Sequence, residues 1–150
     1  GNVGAGGCTW DEYVMQFSLW CFCGVPLMLG CDLRNLPEDY RNLLLNKNLI
    51  SLNQDAECRP PVLVTQRYEN RSFLRQLENG GYAVGFFNLD DKTQYTDFFF
   101  EDAGIPVSSG YCMNLQDVMT GEEIKGLSDH FSLAFPSRSC RIFFGELVRM

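Results

Sequence analysis

Carboxylates and cysteines are the side chains of this sequence whose types and spacing admit chemistry. Adjacent acids include Asp90-Asp91, Glu101-Asp102 and Glu122-Glu123. Hydrolysis of a glycosidic acetal needs two carboxyl groups, one to protonate the leaving oxygen and one to attack or to activate water. Asp90-Asp91 precedes Lys92 in a turn and Glu122-Glu123 follows Thr120-Gly121, so both read as solvated loop acids. Asp32 and Arg34 close an apolar stretch. They either face a ligand or pair with each other, and with nearby backbone, to fix a turn. Asn53, Gln54 and Asp55 could contact hydroxyl groups, but at a helix exit such side chains are better suited to capping backbone and bracing a junction. Cys21-x-Cys23 could bind a soft metal, yet the sole histidine, His130, is remote in sequence and no second cysteine pair closes a ligand set. Ser108, Ser109 and Ser139 have no base arrangement with His130 that would make a hydrolytic triad. The sequence therefore assigns no catalytic residue, no metal ligand and no cofactor.

Composition narrows the partners. Twelve Lys and Arg are scattered among nineteen Asp and Glu, for a formal net charge of -7. A phosphate-binding surface needs clustered cations, so nucleic acid is not expected as a partner. No apolar run reaches the ~18 residues of a membrane span, and Gly1 to Gly7 has neither the basic nor the apolar region of a signal peptide. No membrane association is expected. The seven cysteines are odd in number and sit in apolar contexts such as WCFCG and SCRIFF, which favours buried thiols in a reducing cytoplasm. Asn70-Arg71-Ser72 is a glycosylation sequon that matters only in a secreted protein.

The elements that must position these residues fall into two groups. Thr9 and Glu12 form a capping box, predicting a helix that Gly24 and Pro26 end. Trp10, Tyr13, Val14, Phe17, Trp20 and Cys21 recur at helical spacing and share one aromatic face. Pro26 to Cys31 fits a buried parallel strand, and Pro37 opens a second helix with Leu36, Tyr40, Leu43 and Leu44 on one face. Beyond Arg59-Pro60-Pro61 the apolar period falls to two. Seven strands are predicted at 62–68, 72–77, 82–89, 94–100, 111–118, 131–135 and 140–148, with Glu78-Asn79-Gly80-Gly81 as a tight hairpin turn. The fold class is α+β, mainly β: an antiparallel β-sandwich of seven or eight strands preceded by a helix-strand-helix unit, with domains at 1–57 and 58–150.

From Phe17 to Asp55 the order Leu19-Trp20, Pro26-Leu27, Asp32-Leu33-Arg34, Leu45-Asn46-Lys47 and Asn53-Gln54-Asp55 resembles the last part of the catalytic barrel of the α-galactosidase/α-N-acetylgalactosaminidase glycoside hydrolases. Gly81-Tyr82-Ala83-Val84 with Phe87-Asn88, and Asp117-Val118-Met119-Thr120-Gly121, resemble motifs of the sandwich that follows that barrel. Met119 stands where the family usually has Trp. The resemblance implies a (β/α)8 barrel fragment joined to a β-sandwich, and it implies that Asp32, with Arg34, lies close to where substrate binds, since C-terminal strand ends face the active site in such barrels. It also implies a retaining hydrolysis of terminal α-galactose or N-acetylgalactosamine by two aspartates, in Lys-x-Asp and Arg-x-x-x-Asp motifs. Neither motif occurs in this chain, and a full barrel needs roughly 250 residues. The family's substrate-contacting Asp-Met pair would precede the Gly1-Asn2 match. The expectation is a C-terminal portion of such an enzyme, inactive alone, or else a non-catalytic carbohydrate-binding or assembly module. Carbohydrate is the possible partner, and the uncovered barrel fragment from Trp10 to Leu33 predicts a homo-oligomer.

Overall fold

The computed structural model describes residues 3–150, so the Gly1-Asn2 match lies outside the described residues. Helix α1 (Trp10–Cys23) starts at the expected capping box: Thr9 accepts from the amide of Glu12, whose carboxylate accepts from the Thr9 amide. Gly24 closes it in the left-handed region, at φ 65°. Two short helices follow, α2 (Glu38–Leu44) and α3 (Lys47–Asn53), the second capped by the Asn46 side chain on the Leu49 amide. Eight strands come next: β1 (Val62–Arg67), β2 (Asn70–Gln76), β3 (Tyr82–Asn88), β4 (Gln94–Phe99), β5 (Tyr111–Asp117), β6 (Glu123–Leu127), β7 (His130–Phe135) and β8 (Ser139–Arg149).

All pairings are antiparallel, in a six-stranded sheet ordered β1-β2-β3-β8-β5-β6 and a two-stranded sheet β4-β7. Strand alternation gives the large sheet two unlike faces. One carries Val84, Phe86, Met113, Leu115 and Phe143 and is covered by Phe98, Phe131, Leu133 and Phe135 of the small sheet. These rings meet edge to face, with Phe131 and Phe143 centroids 5.1 Å apart. The other face carries Ala83, Phe87 and Ile142 and is covered by Tyr13, Phe17, Cys21 and Phe22 of α1 and Leu49 and Leu52 of α3. Gly85 makes this second contact close: a Cβ there would lie 3.0 Å from the Phe22 ring.

The predicted mainly β fold class is thus the one observed, with three differences of detail. Pro26 to Cys31 is not a strand. A parallel strand needs a neighbour to complete its ladder, and among the described residues all eight strands pair within their own sheets. Glu123, expected in a loop, instead opens β6; this edge strand contains Gly126 at φ 73° and shows weak alternation. The buried face of α1 is also rotated from the expected one, leaving Trp10 42% exposed and edge-on to Tyr40 at 5.2 Å.

Arg75 joins the helix layer to the sheet. It is 1% exposed, and its Nη1 donates to the carbonyls of Phe22 and Leu52, both at 2.9 Å, and to that of Cys21 at 3.4 Å. Those carbonyls lie at the C-terminal ends of α1 and α3, where the helix dipole is negative and carbonyls lack helical partners. Arg75→Met is expected to lower unfolding stability by about 2–4 kcal/mol, because buried carbonyls lose their donor. Urea unfolding monitored by tryptophan fluorescence measures this; a loss below about 0.5 kcal/mol, the level of an ordinary surface change, would exclude the clamp.

Candidate functional site

Asp32 caps a short 3-10 turn, Leu33–Asn35, at the end of the extended 25–31 segment. Its Oδ1 accepts from the Arg34 amide at 3.0 Å and from Nε at 2.9 Å, while Oδ2 accepts from Nη2 at 2.7 Å. The fork of donors matches the carboxylate, so the two side chains turn toward each other. Both are solvent-facing, with the Arg34 side chain 86% and the Asp32 side chain 47% exposed, which screens the pair. The guanidinium, aided by the backbone amide of Arg34, holds the Asp32 carboxyl below its usual value, and Asp32 in turn raises Arg34. The self-pairing alternative is therefore present. It leaves the outer edges of both groups open to a ligand.

Asn53 donates to the Val25 carbonyl at 2.8 Å, bracing the start of the extended segment. Asp55 accepts from the amides of Glu57 at 3.2 Å and Glu78 at 3.1 Å, tying the end of α3 to the β2-β3 hairpin. The acid pairs are separated in function: Glu123 pairs with Lys125 at 2.7 Å, and Glu122 lies 3.7 Å from Arg141. His130 is exposed on β7, its Nδ1 2.9 Å from the Asp129 carboxylate. All seven cysteines are free thiols, and burial pushes Cys21 and Cys140 up to about 12, which suppresses the reactive thiolate. No metal-holding cluster of His, Cys, Asp and Glu occurs among the described residues, and no helix there is long and apolar enough to cross a membrane. Asn70 of the sequon is buried in β2, facing Asn88 in register.

Three polar side chains central to the structure are not among the candidate site residues of the sequence, although Asp117 and Asn88 stand in its sandwich motifs. Arg75 is one, and its signal is the alternation that places it with the buried Leu77 and the half-buried Phe73. Asp117 is another: it is buried and accepts from the amides of Met119 and Thr120 and from Arg141 Nη2 at 2.7 Å, which fixes the turn after β5. Asn88 is the third, donating to the carbonyls of Lys92 and Pro136 and so linking the two sheets. Met119, in place of the family's usual Trp, accepts a weak contact from Asn46 at 3.7 Å. A larger concavity, of about 780 Å³, opens beyond α3 over β8, β5 and β6.

Residues 69–144 match the profile of the alpha galactosidase C-terminal beta sandwich domain, and residues 2–55 match that of alpha galactosidase A. An α-galactosidase of Coffea arabica is 26% identical over 142 residues, covering 95% of this chain and 37% of that protein. An α-N-acetylgalactosaminidase of Gallus gallus is 28% identical over 136 residues, covering 87% of this chain and 33% of its own. In fold, the crystal structure of α-galactosidase I from Mortierella vinacea matches with a TM-score of 0.86 at 22% identity, over 95% of this chain and 37% of that one. The helices laid on an antiparallel sandwich are thus those of a glycoside hydrolase. The chain belongs to the α-galactosidase family. It corresponds to the C-terminal region of these enzymes and spans about a third of their length.

The Asp32 pair makes a direct prediction for pH. Its folded value is depressed, so the stability it contributes is present above the unfolded aspartate value and is lost as pH falls through the lower folded one. Carboxyl-carbon NMR titration of Arg34→Ala is expected to return Asp32 toward the ordinary aspartate range; an unmoved midpoint would mean that another group sets it.

Proposed function

We propose that this chain is the C-terminal portion of a retaining α-galactosidase-type glycoside hydrolase, in which residues 1–57 belong to the catalytic barrel and residues 58–150 form the sandwich that braces it. The parent reaction is hydrolysis of terminal α-linked galactose or N-acetylgalactosamine. The observation that supports the reading is the consecutive match to both family profiles within one chain, alpha galactosidase A over residues 2–55 and then the C-terminal beta sandwich over residues 69–144. The packing of α1 and α3 on the large sheet supports a bracing role, because that contact is apolar and clamped by Arg75. In this reading Asp32 and Arg34 lie beside the substrate and shape the mouth of the site, while the two displacing carboxylates come from outside the chain.

Alone, the chain is expected not to hydrolyse an activated aryl α-galactoside, since both carboxyl groups of the displacement are needed. Turnover by the purified chain that disappears in Asp32→Asn would overturn this. The coding DNA upstream of Gly1 gives an independent check: an open frame containing Lys-x-Asp and Arg-x-x-x-Asp supports the parent activity, and a stop codon directly upstream counts against it.

The same reading makes the N-terminal segment an association surface. Val25 and Leu29 are 38% and 48% exposed along the extended stretch, and Leu33 is 56% exposed in the turn that ends it, all on a segment that a barrel would cover. Contiguous exposed apolar surface favours self-association. Sedimentation equilibrium is expected to show a dimer or larger species that Leu29→Glu with Leu33→Glu dissociates; a monomer at high concentration rejects the surface.

A further inference from the structure

We propose that the concavity over β8, β5 and β6 is a carbohydrate-binding groove, separate from the Asp32 region, that takes a neutral galactose-containing saccharide. The saccharide class rests on the proposed function, but the site itself stands on its own geometry. The helix layer ends at α3, leaving the β5, β6 and outer β8 part of the sheet's helix-side face open beyond it. Register places the lining in two cross-strand rows: Phe144, Gln116 and Glu123 are lateral neighbours, and Glu146 is opposite Asn114. The end of α3 and the β2-β3 hairpin form the far wall. The volume of about 780 Å³ falls within the ~300–1,000 Å³ range of small-molecule clefts.

The hydrogen-bonding capacity of this face is largely uncommitted. Among the described residues, Gln116, Glu146 and Glu78 make no side-chain hydrogen bond, and Asn114 uses only Oδ1, on the Gly126 amide. These are acceptors and a carboxamide donor pair spaced along adjacent strands, suited to a row of hydroxyl groups. The Phe144 side chain adds aromatic surface to the lining, while Tyr82, opposite Gly145 in register, turns its ring to the other face of the sheet. Charge selects the class of ligand. Glu78, Glu123 and Glu146 face one cation, Lys125, which is already paired with Glu123. The groove therefore repels anions, and a neutral polyhydroxylated ligand meets its chemistry without opposing the field.

Nitrogen-proton correlation NMR of the full chain, titrated separately with galactose and with an α-galactosyl oligosaccharide, tests the site. The expected result is saturable shifts at residues 78–82, 114–116, 123–125 and 144–147, with a dissociation constant of about 1 mM. Gln116→Ala with Glu146→Ala removes exposed side chains only and is expected to weaken binding at least ~10-fold while the spectrum stays dispersed. The proposal is overturned by no shifts at about 50 mM sugar, where a millimolar site is full. Shifts confined to Asp32–Arg34, shifts indifferent to the double substitution, or an equal response to glycerol would overturn it too. None of these outcomes touches the parent-activity reading, which the upstream reading frame decides.

Discussion

A single buried guanidinium holds the layers of this molecule together. Arg75 sits opposite Ala83 in the β2-β3 register, on the helix side of the large sheet. The ion pairs among the described residues do not include it, so its charge is balanced by helix-end carbonyls rather than by a carboxylate. Burying a charge costs several kcal/mol unless its protons are satisfied. Two helices that end at the same point meet that condition at Nη1, each presenting carbonyls at the negative end of its dipole, while Nε is buried without a hydrogen-bond partner among the described residues. Gly24 completes the arrangement: a Cβ there would come 3.3 Å from Nη2, and the left-handed turn sends the chain away from the clamp.

The large sheet can serve two partners because alternation separates its faces. The phenylalanine-rich face needs only the β4-β7 pair to close it, and Asn88 secures that pair through backbone contacts. The opposite face is finished by α1 and α3, which lie within the stretch that matches the alpha galactosidase A profile. Packing of these helices on the sandwich is thus intrinsic to this stretch of chain, since one core runs from Tyr13 and Phe17 through Phe22 to Phe87 and Ile142. Glu12 reinforces it at the far end, bonding Arg138 of the β7-β8 turn at 2.9 Å.

Among the described residues, the N-terminal stretch has no sheet of its own. The segment from Val25 to Gly30 keeps an extended path, braced by Asn53, but forms no strand. Asp32 and Arg34 turn to each other at its end. Their bidentate contact is a resting arrangement for two groups with no other charged neighbour bonded to them among the described residues, and it fixes the turn into α2.

Local chemistry was legible in the sequence alone. Thr9 and Glu12 announce the start of α1, Gly24 its end, and Asn79-Gly80 the hairpin, because these signals act through backbone groups within a few residues. Period-two alternation located seven of the eight strands, and the combined motifs from Leu19 to Asp55 carried the family. The remainder depended on partners distant in the chain. Pro26 to Cys31 has the composition of a buried strand, but a strand exists only where another offers its ladder. β6 lacks a strong pattern and is held by β5. Arg75 looks like a solvated charge in SFLRQL, and only the meeting of two helix ends over β2 makes it a buried clamp. The mutual turn of Asp32 and Arg34 was foreseeable from their spacing, whereas the open groove over β8, β5 and β6 was not, because it is defined by where the helix layer stops.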